Sequence, residues 1–180
     1  MKATVSALLV LAAVLVQTAL VNRLPLPWGV APDLVLLVVV GIALWSSPAA
    51  GAVTGFAAGL AVDVLPPADH EIGRTALLLC LAGYTLARVH DYGARSGLGP
   101  YAAAAGAVLG VGAGFVVFGL ILGDPRAQLP DALWTLLAGA AMTLVAAPAV
   151  LAPTGALMRR VCADAYSDLP APVTGVKGWR

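Results

Sequence analysis

The stretch DVLPPADHEIGR, residues 63–74, gathers the densest set of groups able to do chemistry: Asp63, Asp69, His70, Glu71 and Arg74. Carboxylates beside a histidine are the ingredients of a metal site or of acid–base catalysis. A metal needs several converging ligands, and this stretch supplies a single histidine, so its composition favours a solvated, salt-bridged loop. His90 stands apart, at the end of an apolar run, and reads as a surface residue. Cys80 lies in the middle of an apolar run and Cys162 near the tail, and both read as small apolar fillers. The sequence contains no GxSxG, no HExxH and no GxxxxGK[ST] phosphate loop. No catalytic residue, cofactor site or metal ligand is therefore assigned.

The elements that carry these groups are set by composition. Of 180 residues, 61% are hydrophobic and only 11% charged, against about 25% charged in a soluble domain. Such a chain expects lipid as its solvent. A helix needs roughly 17–25 mostly apolar residues to cross the hydrocarbon layer. Six windows are candidates: Thr4 to Val21, a short one from Asp33 broken by Pro48, Ala49 to Leu65, Thr75 to Val89, Tyr101 to Leu122, and Ala132 to Leu151 with a continuation to Met158. The second and third read either as a tight helical hairpin or as one broken, partly re-entrant element. The first has no convincing cleavage site before Arg23 and reads as a retained helix, not a signal peptide. The expected fold is an all-α polytopic membrane protein with about six transmembrane helices in one bundle over residues 1–158. Residues 159–180 are expected to form a cytoplasmic tail.

With six spans and the amino terminus inside, seven of the ten Lys and Arg residues fall on the inner side: Lys2, Arg88, Arg95, Arg159, Arg160, Lys177 and Arg180. That bias predicts both termini in the cytoplasm. A net charge of +1 without a basic stripe offers no footing for nucleic acid. The spans are almost charge-free at their centres, Gln17 and several threonines being the main polar exceptions. This argues against ion-coupled transport by the chain alone.

Glycines recur every four residues in two places, Gly51, Gly55 and Gly59 in the third window and Gly106, Gly110 and Gly114 in the fifth. A spacing of four keeps each row on one helix face. Lipid gives helices little hydrophobic drive to associate, and small residues replace it by letting backbones approach. Each row thus predicts a smooth groove for a neighbouring helix, either of this chain or of another protein. Asp63 continues the first row, roughly 21 Å along its helix from Ala49. It reads either as an interfacial acid reaching headgroup water or as a functional acid held in the bundle or at a partner contact.

One order of features resembles a known family. Pro32-Asp33-Leu34 opens the second window, and the row GxxxGFxxGLxxD from Gly51 through Phe56 to Asp63 follows. Then come the PPADHEIGR turn, Gly83-Tyr84, and Arg88 at the inner end of the fourth window. These features resemble MreD, a small membrane component of the bacterial rod-shape and wall-elongation machinery, in its high-G+C Gram-positive form. The resemblance is specific over about residues 30–90 and general elsewhere. It implies a six-helix domain similar to the substrate-binding subunits of energy-coupling-factor transporters, in the bacterial cell membrane. It also implies a non-enzymatic role beside MreC, the two linking the MreB filament to a RodA-type glycosyltransferase and its class B penicillin-binding protein. On this reading a groove of the bundle receives a partner helix, most simply that of MreC, with Asp63 and the following turn fixing its position. Two rivals stand beside it. One is a substrate-capture subunit of a vitamin-type transporter, which a ligand cavity would favour. The other is a structural protein self-associating through its glycine rows.

Overall fold

Prolines, glycines and polar residues punctuate the apolar runs, and helices fill the intervals between them. The computed structural model describes residues 2–24, 30–65, 73–93, 98–122 and 129–167, giving only the backbone course at 90–93, 129–132 and 163–167. Among the described residues there are six α-helices and no strand: α1 (Lys2–Ala19), α2 (Leu34–Ala43), α3 (Pro48–Val64), α4 (Arg74–Gly93), α5 (Gly99–Leu122) and α6 (Leu129–Ser167). A short 3-10 turn, Val21–Arg23, closes α1. Three helices are long and apolar enough to cross a membrane, over Lys2–Arg23, Gly99–Leu122 and Leu133–Cys162, while α2 and α3 are apolar but shorter.

The hub of the bundle is α2. Its ten residues, LVLLVVVGIA, are apolar on every side, and all nine from Val35 to Ala43 are buried. A helix without a polar face must be covered all round, and α2 touches each of the other five helices. It starts where the Asp33 carboxylate accepts the Leu36 N–H at 2.8 Å, a standard N-cap exchange. Its last turn tightens through Trp45 N–H to the Ile42 carbonyl and Ser46 N–H to that of Ala43. Ser47 then caps α3, with Pro48 in the first turn, where its missing N–H costs nothing.

So the second and third windows form a helical hairpin whose arms differ in length. At 1.5 Å per residue α3 measures roughly 25 Å and α2 roughly 15 Å. Because the arms share the 44–47 turn, the N-terminus of α2 lies roughly 10 Å below the far end of α3. Its first amides are withdrawn from the membrane surface and must find partners inside the protein.

The other long element, α6, runs 39 residues, roughly 58 Å. It passes through Pro148 and Pro153 and continues beyond Met158, where the sequence suggested the membrane domain would give way to a tail.

Candidate functional site

The most extensive packing in the molecule is α3 against α4, and the first glycine row forms its seam. A Cβ added to Gly51 would lie 2.5 Å from the Gly83 carbonyl oxygen, and one at Gly59 would lie 2.5 Å from the Ala76 Cα. At Gly55 it would run into the backbone of Leu79. From the other side, a Cβ on Gly83 would strike the Gly51 carbonyl. The two backbones are thus in direct contact along three turns, a distance at which only glycine fits. Phe56, next in the same motif, points away and is 49% exposed.

The seam ends at Asp63, which is only 1% exposed. Its Oδ2 accepts the backbone N–H of Gly73 at 2.8 Å and that of Ala76 at 3.1 Å. Gly73 stands at the start of α4 with φ 101°, a left-handed conformation that glycine adopts without strain. Asp63 therefore supplies from α3 the cap that α4 lacks in its own sequence, and its negative charge sits at the positive end of the α4 dipole. Of the two readings of this acid, an interfacial carboxylate in headgroup water does not match a side chain closed off from solvent.

The sunken N-terminus of α2 is served by three other side chains. Gln17 of α1 accepts the Leu34 N–H through Oε1 at 2.9 Å and donates through Nε2 to the Pro32 carbonyl at 2.9 Å and to Asn22 at 3.0 Å. Thr143 of α6 accepts the Asp33 N–H at 3.0 Å. Together with the Asp33 carboxylate on Leu36, these bonds tie α1, α2 and α6 together at one level. Pro32 and Asp33, conspicuous in the sequence as a motif, are backbone-fixing residues of this junction. In the sequence Gln17 stands out only as a polar residue in an apolar span, and Thr143 is one of several such threonines.

Arg74 opens α4 and turns into the protein. Its guanidinium donates to the Phe115 carbonyl of α5 and stands 5.0 Å from the centre of the Phe115 ring. Its Nε is buried and has no hydrogen-bond partner among the described residues. Arg74 and Asp33 line the same cavity, about 510 Å³, bounded by α5 and α6. An arginine within the bilayer costs about 2.5–3.5 kcal/mol to insert at the centre of a span. At the opposite end of α4, Arg88 donates to the Tyr84 hydroxyl at 3.0 Å and lies 5.4 Å from its ring.

The second glycine row behaves differently from the first. Gly114 packs on the Leu78 side chain, but a Cβ at Gly106 or Gly110 would meet no described atom within 4 Å. Both glycines line a larger apolar cavity, about 890 Å³, with Leu44, Trp45, Leu81 and Leu86 on its other walls. One glycine row is thus filled by α4, while among the described residues two-thirds of the other is left uncovered.

Asp69, His70 and Glu71 of the outer turn lie outside the described residues, as does the side chain of His90. Among the described residues no three His, Cys, Asp or Glu side chains come together in a way that would hold a metal ion. Cys80 and Cys162 are free thiols.

A bundle built on a glycine seam, with its motif residues Pro32, Asp33, Asp63 and Gly83 committed to backbone contacts, can be compared with known families. The profile of the family described as rod shape-determining protein MreD matches residues 1–96, a little over half of the chain. The chain belongs to the MreD family. It is a multi-pass membrane protein of the rod-shape-determining system. The matched part spans α1 to α4, so it includes the seam, the Asp63 cap and the Gln17 and Asp33 side of the α2 junction, while α5 and α6, with Thr143 and the glycine groove, lie beyond it. No curated protein and no solved structure matches the chain.

Proposed function

We propose that this MreD-family chain is a non-enzymatic assembly subunit that binds MreC through a single transmembrane helix seated in the groove along Gly106 and Gly110. Bound there, it helps couple cytoplasmic MreB to a RodA-type synthase and its class B penicillin-binding protein. Both termini lie in the cytoplasm, and the last turns of α6, from Arg159 to Ser167, face cytoplasmic partners.

The observation that supports this reading is the unequal state of the two glycine rows. A helix pair needs a surface without side chains on at least one member, since close packing replaces the missing hydrophobic drive. In the α3 row that surface is already occupied by α4, which removes Gly55 and Gly59 as contacts for another protein. The α5 row offers the same kind of surface unoccupied, within an apolar cavity long enough to include residues from Pro100 to Val111. The motif residues then act indirectly, by fixing α2, α3 and α4 so that α4 and α5, which meet at Leu78 and Gly114, leave a groove along Gly106 and Gly110.

The test is co-purification of MreC with Gly110→Leu in a mild detergent. The variant should insert and fold as the parent does but lose MreC, because the leucine fills the space of the incoming helix. Undiminished MreC on a folded Gly110→Leu and Gly106→Leu pair would overturn the assignment. Crosslinking that yields only dimers of this chain would replace MreC with a second copy.

A further inference from the structure

The cavity of about 510 Å³ beside Arg74 is separate in purpose from the glycine groove and has a chemistry of its own. Its volume falls within the about 300–1,000 Å³ usual for sites that hold small molecules. Most of its wall is hydrocarbon, from Val108, Phe115 and Val116 of α5 to Leu136 of α6. One cationic side chain, Arg74, lines it among the described residues.

Arg74 does not extend outward past the end of α5. Its bond to the Phe115 carbonyl draws the guanidinium down beside α5, and Phe115 lies seven residues before Leu122, where α5 ends. That places the contact roughly 10 Å inside the end of α5. One carbonyl uses only part of a five-donor guanidinium, and the buried Nε has no hydrogen-bond partner among the described residues. The Asp33 carboxylate, on the same cavity, already serves the Leu36 N–H. An ionisable group within the membrane marks a binding site whose counter-charge should be named. Although Asp33 shares the wall, the Arg74 guanidinium is suited to a single negative charge on an oxyanion, which such a group holds through paired N–H bonds. The cavity must also receive a hydrocarbon tail, since the remaining wall is apolar.

We propose that this cavity binds one anionic phospholipid, with its phosphodiester on Arg74 and an acyl chain laid between α5 and α6. The lipid comes from the leaflet on the side of the α4 N-terminus. A net-anionic headgroup is specified over a zwitterionic one, because an ammonium beside Arg74 would be repelled. The site would make the join of α5 to the rest of the bundle dependent on lipid composition.

The test uses the full chain, purified and delipidated, with thermal unfolding read as dioleoyl phosphatidylglycerol is added. Dioleoyl phosphatidylethanolamine and inorganic phosphate serve as the comparison ligands. Phosphatidylglycerol should raise the unfolding temperature saturably, and the other two should not. Arg74→Gln should weaken its apparent affinity at least tenfold. Val116→Trp, which fills the cavity and leaves Arg74 intact, should do the same. If Arg74→Gln does not fold, Val116→Trp and Arg74→Lys decide the matter, the latter keeping the charge and losing the fork. Equal stabilisation by both phospholipids would overturn the proposal, as would phosphatidylglycerol binding undiminished in folded Val116→Trp. A shift produced equally by inorganic phosphate would also overturn it, since that identifies a free-anion site.

Discussion

The Asp63 carboxylate of α3 accepts the Ala76 N–H of α4 at 3.1 Å in a setting closed to solvent. The bond joins the end of one helix to the start of the next, ten or more residues on, past Pro66 and Pro67 in the sequence. It has two consequences: it satisfies an orphan amide where water is scarce, and it sets the level at which α4 begins against the glycine seam.

Replacing Asp63 by Ala should therefore destabilise the folded bundle by about 1–3 kcal/mol, the cost of leaving buried donors without acceptors. Asp63→Asn keeps one acceptor oxygen and should lose less. Thermal unfolding in detergent, followed by circular dichroism, measures both. Equal stability of Asp63→Ala and the parent would show that the cap carries no energy.

The two glycine rows should separate under the same conservative change. Gly55→Ala places a methyl group against the Leu79 backbone, which cannot rotate away, so α3 and α4 must move apart. Overpacking of this kind costs about 1–3 kcal/mol, and the seam repeats the contact at Gly51 and Gly59. Gly110→Ala meets no described atom within 4 Å and gains up to about 1 kcal/mol of helix propensity. The melting temperature should fall in the first and stay level or rise in the second; a fall of similar size in both would contradict the open groove.

That contrast shows where the sequence stops being informative. Spacing by fours announces a smooth helix face at Gly51–Gly59 and at Gly106–Gly114 in identical terms. Periodicity describes the face and carries no record of what stands opposite. The six helices and their order were legible because apolar runs and prolines are local signals, and α3 begins at Pro48 for that reason. The role of Asp63 was not legible. Its partners are backbone amides of Gly73 and Ala76, and an amide leaves no mark in residue type. Gln17 and Thr143 were hidden in the same way, since each meets an amide at the start of α2, 17 and 110 positions away in the chain. Their unusual polarity was visible, but its purpose depended on α2 being shorter than α3.

The junction at the start of α2 should behave as a unit. Gln17→Leu removes the acceptor for the Leu34 N–H and the donors to Pro32 and Asn22; Thr143→Val removes the acceptor for the Asp33 N–H while keeping the side-chain shape. Each should cost about 1–3 kcal/mol. Because both fix the same turn, the double variant should lose less than the sum, with a coupling of about 0.5–3 kcal/mol. Denaturation of the two single variants and the double one gives that number, and strict additivity would mean that the two bonds act independently.

The hairpin and the Lys/Arg bias together predict a sidedness that can be measured. An arm of roughly 25 Å in α3 nearly crosses a hydrocarbon layer of about 30 Å, whereas the roughly 15 Å of α2 does not. The 44–47 turn should then lie near the inner boundary although α2 starts well below the outer one. With Cys80 and Cys162 replaced by Ala, a cysteine at the exposed Ser47 should react with a membrane-impermeant maleimide added from the cytoplasmic side of inverted vesicles. In intact spheroplasts it should stay unlabelled. Reporters fused to either terminus should be cytoplasmic in the same cells, since the hairpin returns the chain to the side it left and the Lys/Arg bias favours that orientation. Labelling of Ser47→Cys from outside, with cytoplasmic termini, would mean that the hairpin enters and leaves on one side without approaching the other, making α3 a tilted, re-entrant arm.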